Sequence, residues 1–320
     1  MEKKIFLDNI PIIVVCGPTA SGKTGLAIDI AKKYNGEIVS ADSMQIYKYM
    51  DIGTAKPTLQ ERSEAPHHLI DFLNPDDEFS VADYTPLAHK TIEDIINRGK
   101  LPIIAGGTGL YINSVINDIT FGEIDTDYEL RAELEERAKT EGIDSLVKEL
   151  ATFDEVSAKK IHPNNTRRII RAIEFYRTTG MPISKHQEMT KQVKSRYTPL
   201  MLMIDHEREK LYERINLRVD IMMNEGLVCE VKRLMDMGYG AALNSMKGIG
   251  YKEIMGALEG KYSIDEAVEM VKLGSRHYAK RQLTWFRRDE RINYLNAQND
   301  VFCEAHKLID NFLCEKGAAN

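Results

Sequence analysis

An α/β fold, a mostly parallel sheet flanked by helices with an all-helical lobe inserted in it, is predicted by three features of this sequence. Short β-rich runs alternate with helical patterns, the order that sets parallel strands between layers of helices. The first run, Ile12-Ile13-Val14-Val15-Cys16, leads straight into Gly17-Pro18-Thr19-Ala20-Ser21-Gly22-Lys23-Thr24. From Asp127 to Thr190 the alternation stops, and only helical spacing remains.

Strands are expected near residues 12–16, 37–40, 101–105, 199–204 and 292–295, each a short apolar or β-branched run. The first helix is expected over 23–33, where Leu26, Ala27, Ile30 and Ala31 recur at helical spacing. Strand, glycine-rich turn and helix start together have the spacing of a phosphate-cradling P-loop, so the fold is expected to be P-loop NTPase-like. Gly17 and Gly22 let the backbone curl until its N–H groups point at phosphate oxygens. Lys23 adds a mobile positive charge, and the Thr24 hydroxyl stands where it would ligate Mg²⁺. Further helices are expected over 81–98 and 110–117, then five in the insert over 127–140, 143–149, 154–160, 166–179 and 184–190. An all-helical block between strands of one sheet is an insertion, here bounded near Phe121 and Tyr197, so that 122–196 forms the lobe and 1–121 with 197–320 the core. After the return strand, helices are expected over 207–225, 227–237 and 263–288, the last opened by the capping box Ser263-x-x-Glu266. The tail from Asn296 onward reads as a surface helix with a frayed end.

At 320 residues with 43% hydrophobic and 29% charged residues, the composition is that of a soluble globular protein. The opening residues, Met1 to Asp8, are too soon interrupted for a signal peptide, and no stretch approaches the ~20 apolar residues of a membrane span. Cys16, Cys229, Cys303 and Cys314 show no paired or zinc-like spacing, which fits a reducing cytoplasm. The net charge of −6 speaks against a generic nucleic-acid binder, yet it hides an asymmetry. Residues 121–160 hold 12 acidic and 6 basic side chains, whereas 161–200 hold 8 basic and 2 acidic, and 272–291 hold 7 basic and 2 acidic. Two basic stretches on an acidic protein suggest a local polyanion footprint; a solvated helix face is the equal alternative.

In an open parallel sheet, ligands collect at the carboxyl ends of the strands. The second strand opens into Ala41-Asp42-Ser43-Met44-Gln45-Ile46-Tyr47, and the third into Gly106-Gly107-Thr108-Gly109-Leu110-Tyr111. Asp42 therefore belongs beside the phosphate site, as a magnesium ligand or a general base. Alone, Asp42 or Thr108 would pass as a helix N-cap. Both at neighbouring strand ends favour function.

The string Asp42-Ser43-Met44-Gln45-Ile46-Tyr47, followed by Met50-Asp51-Ile52-Gly53-Thr54-Ala55-Lys56-Pro57, resembles the signature of the tRNA dimethylallyltransferase family. So do Ala65-Pro66-His67-His68-Leu69, Gly106-Gly107-Thr108-Gly109-Leu110-Tyr111 and Arg168-Ile169-Ile170-Arg171-Ala172-Ile173-Glu174. Arg218-Val219-Asp220 with Gly226-Leu227, Gly248-Ile249-Gly250-Tyr251-Lys252-Glu253, and Tyr278-Ala279-Lys280-Arg281-Gln282 with Thr284-Trp285-Phe286-Arg287 complete a match over nearly the whole chain. The resemblance implies transfer of a dimethylallyl group from dimethylallyl diphosphate to the exocyclic amine of an adenine. That adenine lies immediately 3′ of the anticodon, in tRNAs that read codons beginning with U. It implies a diphosphate cradle made by Gly17 to Thr24, with Mg²⁺ on Thr24 and the leaving-group charge met by Lys23, Thr24 and Arg218. Asp42 is then the base and Thr108 a positioning group. The partner is a tRNA anticodon stem-loop, with contacts expected from Asp42, Ser43, Met44, Gln45, Thr108, Arg131, Arg167, Arg168, Ile169, Ile170 and Arg171. The family often has Gln where this chain has Arg167, so phosphate contact rather than amide readout is expected there. No obligatory protein partner and no membrane are expected.

An adenylate isopentenyltransferase acting on free AMP, ADP or ATP would share the loop and the base but has no use for a basic helical lobe. A P-loop kinase is allowed by the loop alone and disfavoured by the string from Asp42 to Pro57. A GTPase-like RNA-binding switch lacks its guanine-reading Asn-Lys-x-Asp string here.

Overall fold

A computed structural model describes residues 9–119, 127–191 and 195–317. The readings placed on Met1 to Asp8 and on a boundary at Phe121 lie outside the described residues. The chain divides into two compact units, Met1–Ile116 with Ser195–Asn320 and, between them in sequence, Asn117–Lys194.

The first unit opens with β1 (Ile10–Cys16), α1 (Lys23–Lys33), β2 (Gly36–Ser40), α2 (Leu59–Glu64), β3 (His67–His68), α3 (Val81–Asn97), β4 (Leu101–Gly106) and α4 (Gly109–Ile116). The second unit holds α5 (Tyr128–Thr140), α6 (Ile143–Phe153), α7 (Glu155–Lys160), α8 (Thr166–Thr179) and α9 (Ile183–Lys191). The chain rejoins the first unit at β5 (Tyr197–Asp205), followed by α10 (Arg208–Asn224), α11 (Leu227–Asp236), a single 3₁₀ turn (Ser245–Lys247), α12 (Tyr251–Leu258), α13 (Ile264–Phe286), β6 (Ile292–Asn296) and α14 (Val301–Glu315).

The six strands form one parallel sheet in the order β3-β2-β4-β1-β5-β6. β1 sits inside it, and its side chains alternate between two cores, as the strand period demands. Ile12, Val14 and Cys16 pack with Tyr84, Ala88 and Ile92 of α3 and with Ile112 and Val115 of α4. Ile13 and Val15 pack on the other face with Leu26 and Ile30 of α1 and with Ala305 and Ile309 of α14. The tail helix is thus more than a frayed surface element: its apolar stripe closes one face of the sheet. A third core joins Ile46, Tyr47 and Met50 of the loop after β2 to Leu227, Val231 and Leu234 of α11 and Ile254 of α12.

Five of the six strands fall where the apolar runs predict them. β3 is a two-residue edge strand, too short to carry an alternating pattern. α2 buries none of its residues, so it has no apolar stripe to betray it; a capping box between Thr58 and Glu61 holds its start. The capping box read at Ser263 and Glu266 does open α13. In the second unit Leu134, Leu146, Leu150, Ile169, Ile170 and Ile173 form a separate small core. Among the described residues no helix is long and apolar enough to cross a membrane.

Candidate active site

The P-loop follows β1 with a backbone that only certain residues tolerate. Gly17 and Gly22 have φ of 139° and 95°, and Ala20 between them has φ of 62°, a left-handed conformation that costs an L-residue free energy. The surrounding fold holds it there: Arg214 Nε donates to the Ala20 carbonyl at 2.8 Å, and the His206 ring nitrogen meets the Ser21 carbonyl at 2.9 Å. Lys23 begins α1, and its Nζ donates to the Pro18 carbonyl at 3.0 Å. Burial, with the like charge of Arg218 adding to it, holds the Lys23 ammonium down to about 8, and the Asp42 carboxylate works the other way.

Thr19, Lys23 and Thr24 line a cavity of about 400 Å³ that Asp42, Ser43, Met44, Gln45, Arg218, Tyr278 and Gln282 also line. Four of the five sequence-read catalytic residues, Lys23, Thr24, Asp42 and Arg218, thus line one cavity, whereas Thr108 does not line it and is joined to it through its hydrogen bond from Ser43. A second, wider cavity of about 820 Å³ shares Lys23, Thr24 and Arg218 and extends along the outer side of the loop past Ala20 and Gly22. Burial works against the charge of Arg218, and Asp42 offsets it.

Asp42 stands just past the end of β2 and is no helix N-cap. Its Oδ1 accepts from the N–H groups of Met44 at 2.9 Å and Gln45 at 3.3 Å, which fixes the side chain in a local turn. Oδ2 accepts no hydrogen bond among the described residues. Thr108 occupies the residue before α4, yet its hydroxyl turns away from capping duty and accepts from Ser43 N–H at 3.0 Å. The two strand ends approach so closely that a Cβ on Gly106 would overlap the Ala41 backbone, which is why glycine stands there. Tyr278 of α13 lines the same cavity, and its hydroxyl is pushed up to about 12 by burial, with Asp42 adding to the shift and Thr108 working against it.

Gln45 is tied into the protein rather than free. Its Nε2 donates to the carbonyls of Thr54 at 3.3 Å and Ala55 at 3.1 Å. The Met50-to-Pro57 loop that supplies those carbonyls is in turn held by a buried carboxylate the sequence reading missed. Glu230 accepts from the N–H groups of Asp51, Ile52 and Gly53 at 2.9, 2.9 and 3.1 Å and from the Tyr251 hydroxyl at 2.7 Å. Lys56, also buried, pairs with Asp51 at 2.6 Å and Asp71 at 2.9 Å and donates to the Tyr47 carbonyl.

The remaining residues read as RNA contacts lie in the second unit. Arg167 and Arg168 are exposed at the start of α8 and make no ion pair among the described residues. Ile169 and Ile170 are buried in that unit's core, so the expectation that they touch RNA is corrected for their side chains: an apolar stripe on α8 faces inward. Arg131 and Arg171 are half-buried around Glu174, whose fully buried carboxylate accepts from Arg131 Nε at 3.0 Å, Arg131 Nη2 at 3.1 Å, Arg171 Nη1 at 2.9 Å and the Asp127 N–H at 3.2 Å. Sequence reasoning gave Glu174 no role of its own, although a charge on the apolar face of α8 was a signal that a partner must exist.

Comparison with known proteins places this geometry in a family. A model described as IPP transferase matches residues 45–289. A tRNA dimethylallyltransferase from Acetivibrio thermocellus is 53% identical, with 95% of this chain and 96% of that protein covered. The solved structure of a tRNA isopentenylpyrophosphate transferase from Bacillus halodurans superposes with a TM-score of 0.71 at 42% identity, covering 96% of this chain and 98% of that one. A eukaryotic dimethylallyltransferase captured acting on tRNA gives a TM-score of 0.83 at 29% identity, over 96% of this chain and 80% of its own.

Proposed function

The chain belongs to the IPP transferase family, whose reaction is tRNA dimethylallyl transfer, and from that premise we propose how its own residues perform it. The observation that carries the proposal is the sharing of one cavity by a P-loop and a carboxylate, Asp42. A cradle for a leaving diphosphate and a base for an amine proton are the two things this chemistry needs.

In the proposed reaction the donor is dimethylallyl diphosphate. The bond between its allylic carbon and the diphosphate oxygen breaks, and the electron pair leaves with the diphosphate. The adenine amine attacks the allylic carbon, forms the new carbon–nitrogen bond and gives a proton to Asp42. Backbone N–H groups of Gly17 to Thr24, the Lys23 ammonium and the Arg218 guanidinium meet the charge that grows on the departing oxygens. Thr24 lines the cavity with no side-chain hydrogen bond among the described residues, so its hydroxyl suits one coordination position of Mg²⁺, an ion that usually takes few protein oxygens beside substrate phosphates and water. Bound there, Mg²⁺ would supply charge neutralisation of the diphosphate. Thr108, held by Ser43, orients the base side of the cavity.

The acceptor is the adenosine immediately 3′ of the anticodon in cytoplasmic tRNAs that read codons beginning with U. A stacked base must be turned out of the loop to enter a cavity of this kind, and Asp42 to Gln45 then form the entrance. Arg167 and Arg168, with Arg131 and Arg171 behind them, are proposed to hold backbone phosphates. Replacing Arg167 and Arg168 with Ala is expected to weaken tRNA binding and to lower the slope of log affinity against log salt by roughly 0.7–0.9 for each phosphate no longer neutralised. Filter-binding titrations at a series of salt concentrations measure that slope; an unchanged slope returns both arginines to the role of a solvated face.

The overall reading is tested by offering labelled dimethylallyl diphosphate to the protein with tRNA or with AMP. Label is expected on tRNA and absent from AMP. Label transferred to AMP would contradict the tRNA assignment and favour an adenylate isopentenyltransferase.

A further inference from the structure

We propose that Gln282 is a positioning residue for the transfer. Its side-chain amide is the strut that fixes the diphosphate loop relative to the turn bearing Thr108, and thereby the distance between leaving group and base. The inference rests on the reaction proposed above.

Pairing between β1 and β4 ends at Cys16 and Gly106. Beyond that pair the two strands open into separate loops, one carrying the phosphate cradle and the other Thr108. The Gln282 amide joins them: Oε1 accepts from Thr19 N–H at 2.9 Å, and Nε2 donates to the Gly107 carbonyl at 2.9 Å. A planar amide offers its acceptor and its donor at a fixed separation, so one side chain holds both loops at a set spacing. The side chain is 5% exposed, and Gly107 lies so close to Nε2 that even a Cβ there would overlap it. Losing this amide leaves the buried Gly107 carbonyl and the part-buried Thr19 N–H without their partner.

The strut is continuous with the base side of the cavity. Gly107 is followed by Thr108, whose hydroxyl accepts from Ser43 N–H, and Ser43 is bonded in sequence to Asp42. Thr19 is followed within the same loop by Lys23 and Thr24. One amide therefore connects the loop of the leaving-group contacts with the turn that leads to the base contacts. Gln282 itself is held from behind, since the neighbouring α13 residues Ala279 and Phe286 are buried and the helix start is fixed by its capping box. Transfer between two bound groups is sensitive to such spacing, because a misplacement of about 1 Å can cost about 10²-fold in rate.

The test uses Gln282→Met, which keeps the bulk and removes both hydrogen bonds, and Gln282→Asn, which keeps the amide on an arm too short to span both loops. Steady-state kcat and the KM of each substrate are measured per active site, counted by single-turnover amplitude so that misfolded protein does not enter. For both variants kcat is expected to fall about 10- to 100-fold, while KM for dimethylallyl diphosphate and for tRNA stays within about threefold. Should Gln282→Met fail to fold, Gln282→Asn carries the same test. Unchanged kcat in the folded variant, or a loss confined to either KM, would overturn the strut. Failure of the unsubstituted chain to transfer at all is a different result: it overturns the reaction assignment, and the strut falls with it.

Discussion

Asp42→Asn is expected to lower single-turnover dimethylallyl transfer about 10²- to 10⁴-fold, the usual effect of losing a general base. The substitution is close to isosteric, and an amide oxygen can still accept from Met44 and Gln45 N–H as Oδ1 does. The local turn should therefore survive, and the loss should fall on the proton transfer alone. An adenine amine is a weak nucleophile because its lone pair is delocalised into the ring, so relief of its proton during attack matters. A rival role for Asp42, holding Mg²⁺, predicts a different result. A variant lacking a metal ligand needs more metal and is partly rescued by excess. Transfer by Asp42→Asn measured across a magnesium titration separates the two: a rate low at every concentration supports the base, and rescue assigns Asp42 to the metal.

Lys23→Ala is expected to cost about 10²–10³ in turnover, the range for removing one fixed electrostatic contact from a developing charge. Lys23 is enclosed by its own loop, and no other lysine of the loop can replace it. Truncation also removes the hydrogen bond to the Pro18 carbonyl, so loop order should be checked by thermal unfolding alongside the kinetics. Binding of tRNA without donor should be unchanged, since Arg167 and Arg168 are untouched. Near-normal transfer by Lys23→Ala would mean that the P-loop is not the leaving-group site.

The parts of this molecule that could be read from sequence are those whose chemistry is local. β1 and the P-loop are adjacent in the chain, and Asp42 and Thr108 each follow an apolar strand directly, so strand ends and motifs coincide. The α13 cap was visible because both members of the box lie within one turn. What stayed hidden is long-range. Gln282 meets Thr19 from 263 residues away, and no spacing rule connects the two. Glu230 organises the Met50-to-Pro57 loop from 179 residues beyond its Asp51 contact. For Glu230 and Glu174 a weaker signal existed. Each is a carboxylate on the buried face of an amphipathic helix, among Leu227, Val231 and Leu234 in one case and Ile169, Ile170 and Ile173 in the other. Such a position requires partners, although the sequence does not name them. The burial of the Ile169 and Ile170 side chains was hidden for a related reason: a motif transferred as a block ignores which of its members face inward.

Whether this chain alkylates one adenosine of tRNA from dimethylallyl diphosphate is decided by nucleoside mass analysis. A tRNA that reads codons beginning with U is incubated with the protein, Mg²⁺ and dimethylallyl diphosphate, then digested and compared with a tRNA in which the adenosine 3′ of the anticodon is replaced by guanosine. One new nucleoside, an adenosine heavier by a single dimethylallyl group, is expected from the first tRNA and none from the second. An unmodified first tRNA, or the same product from both, would contradict the proposed reaction.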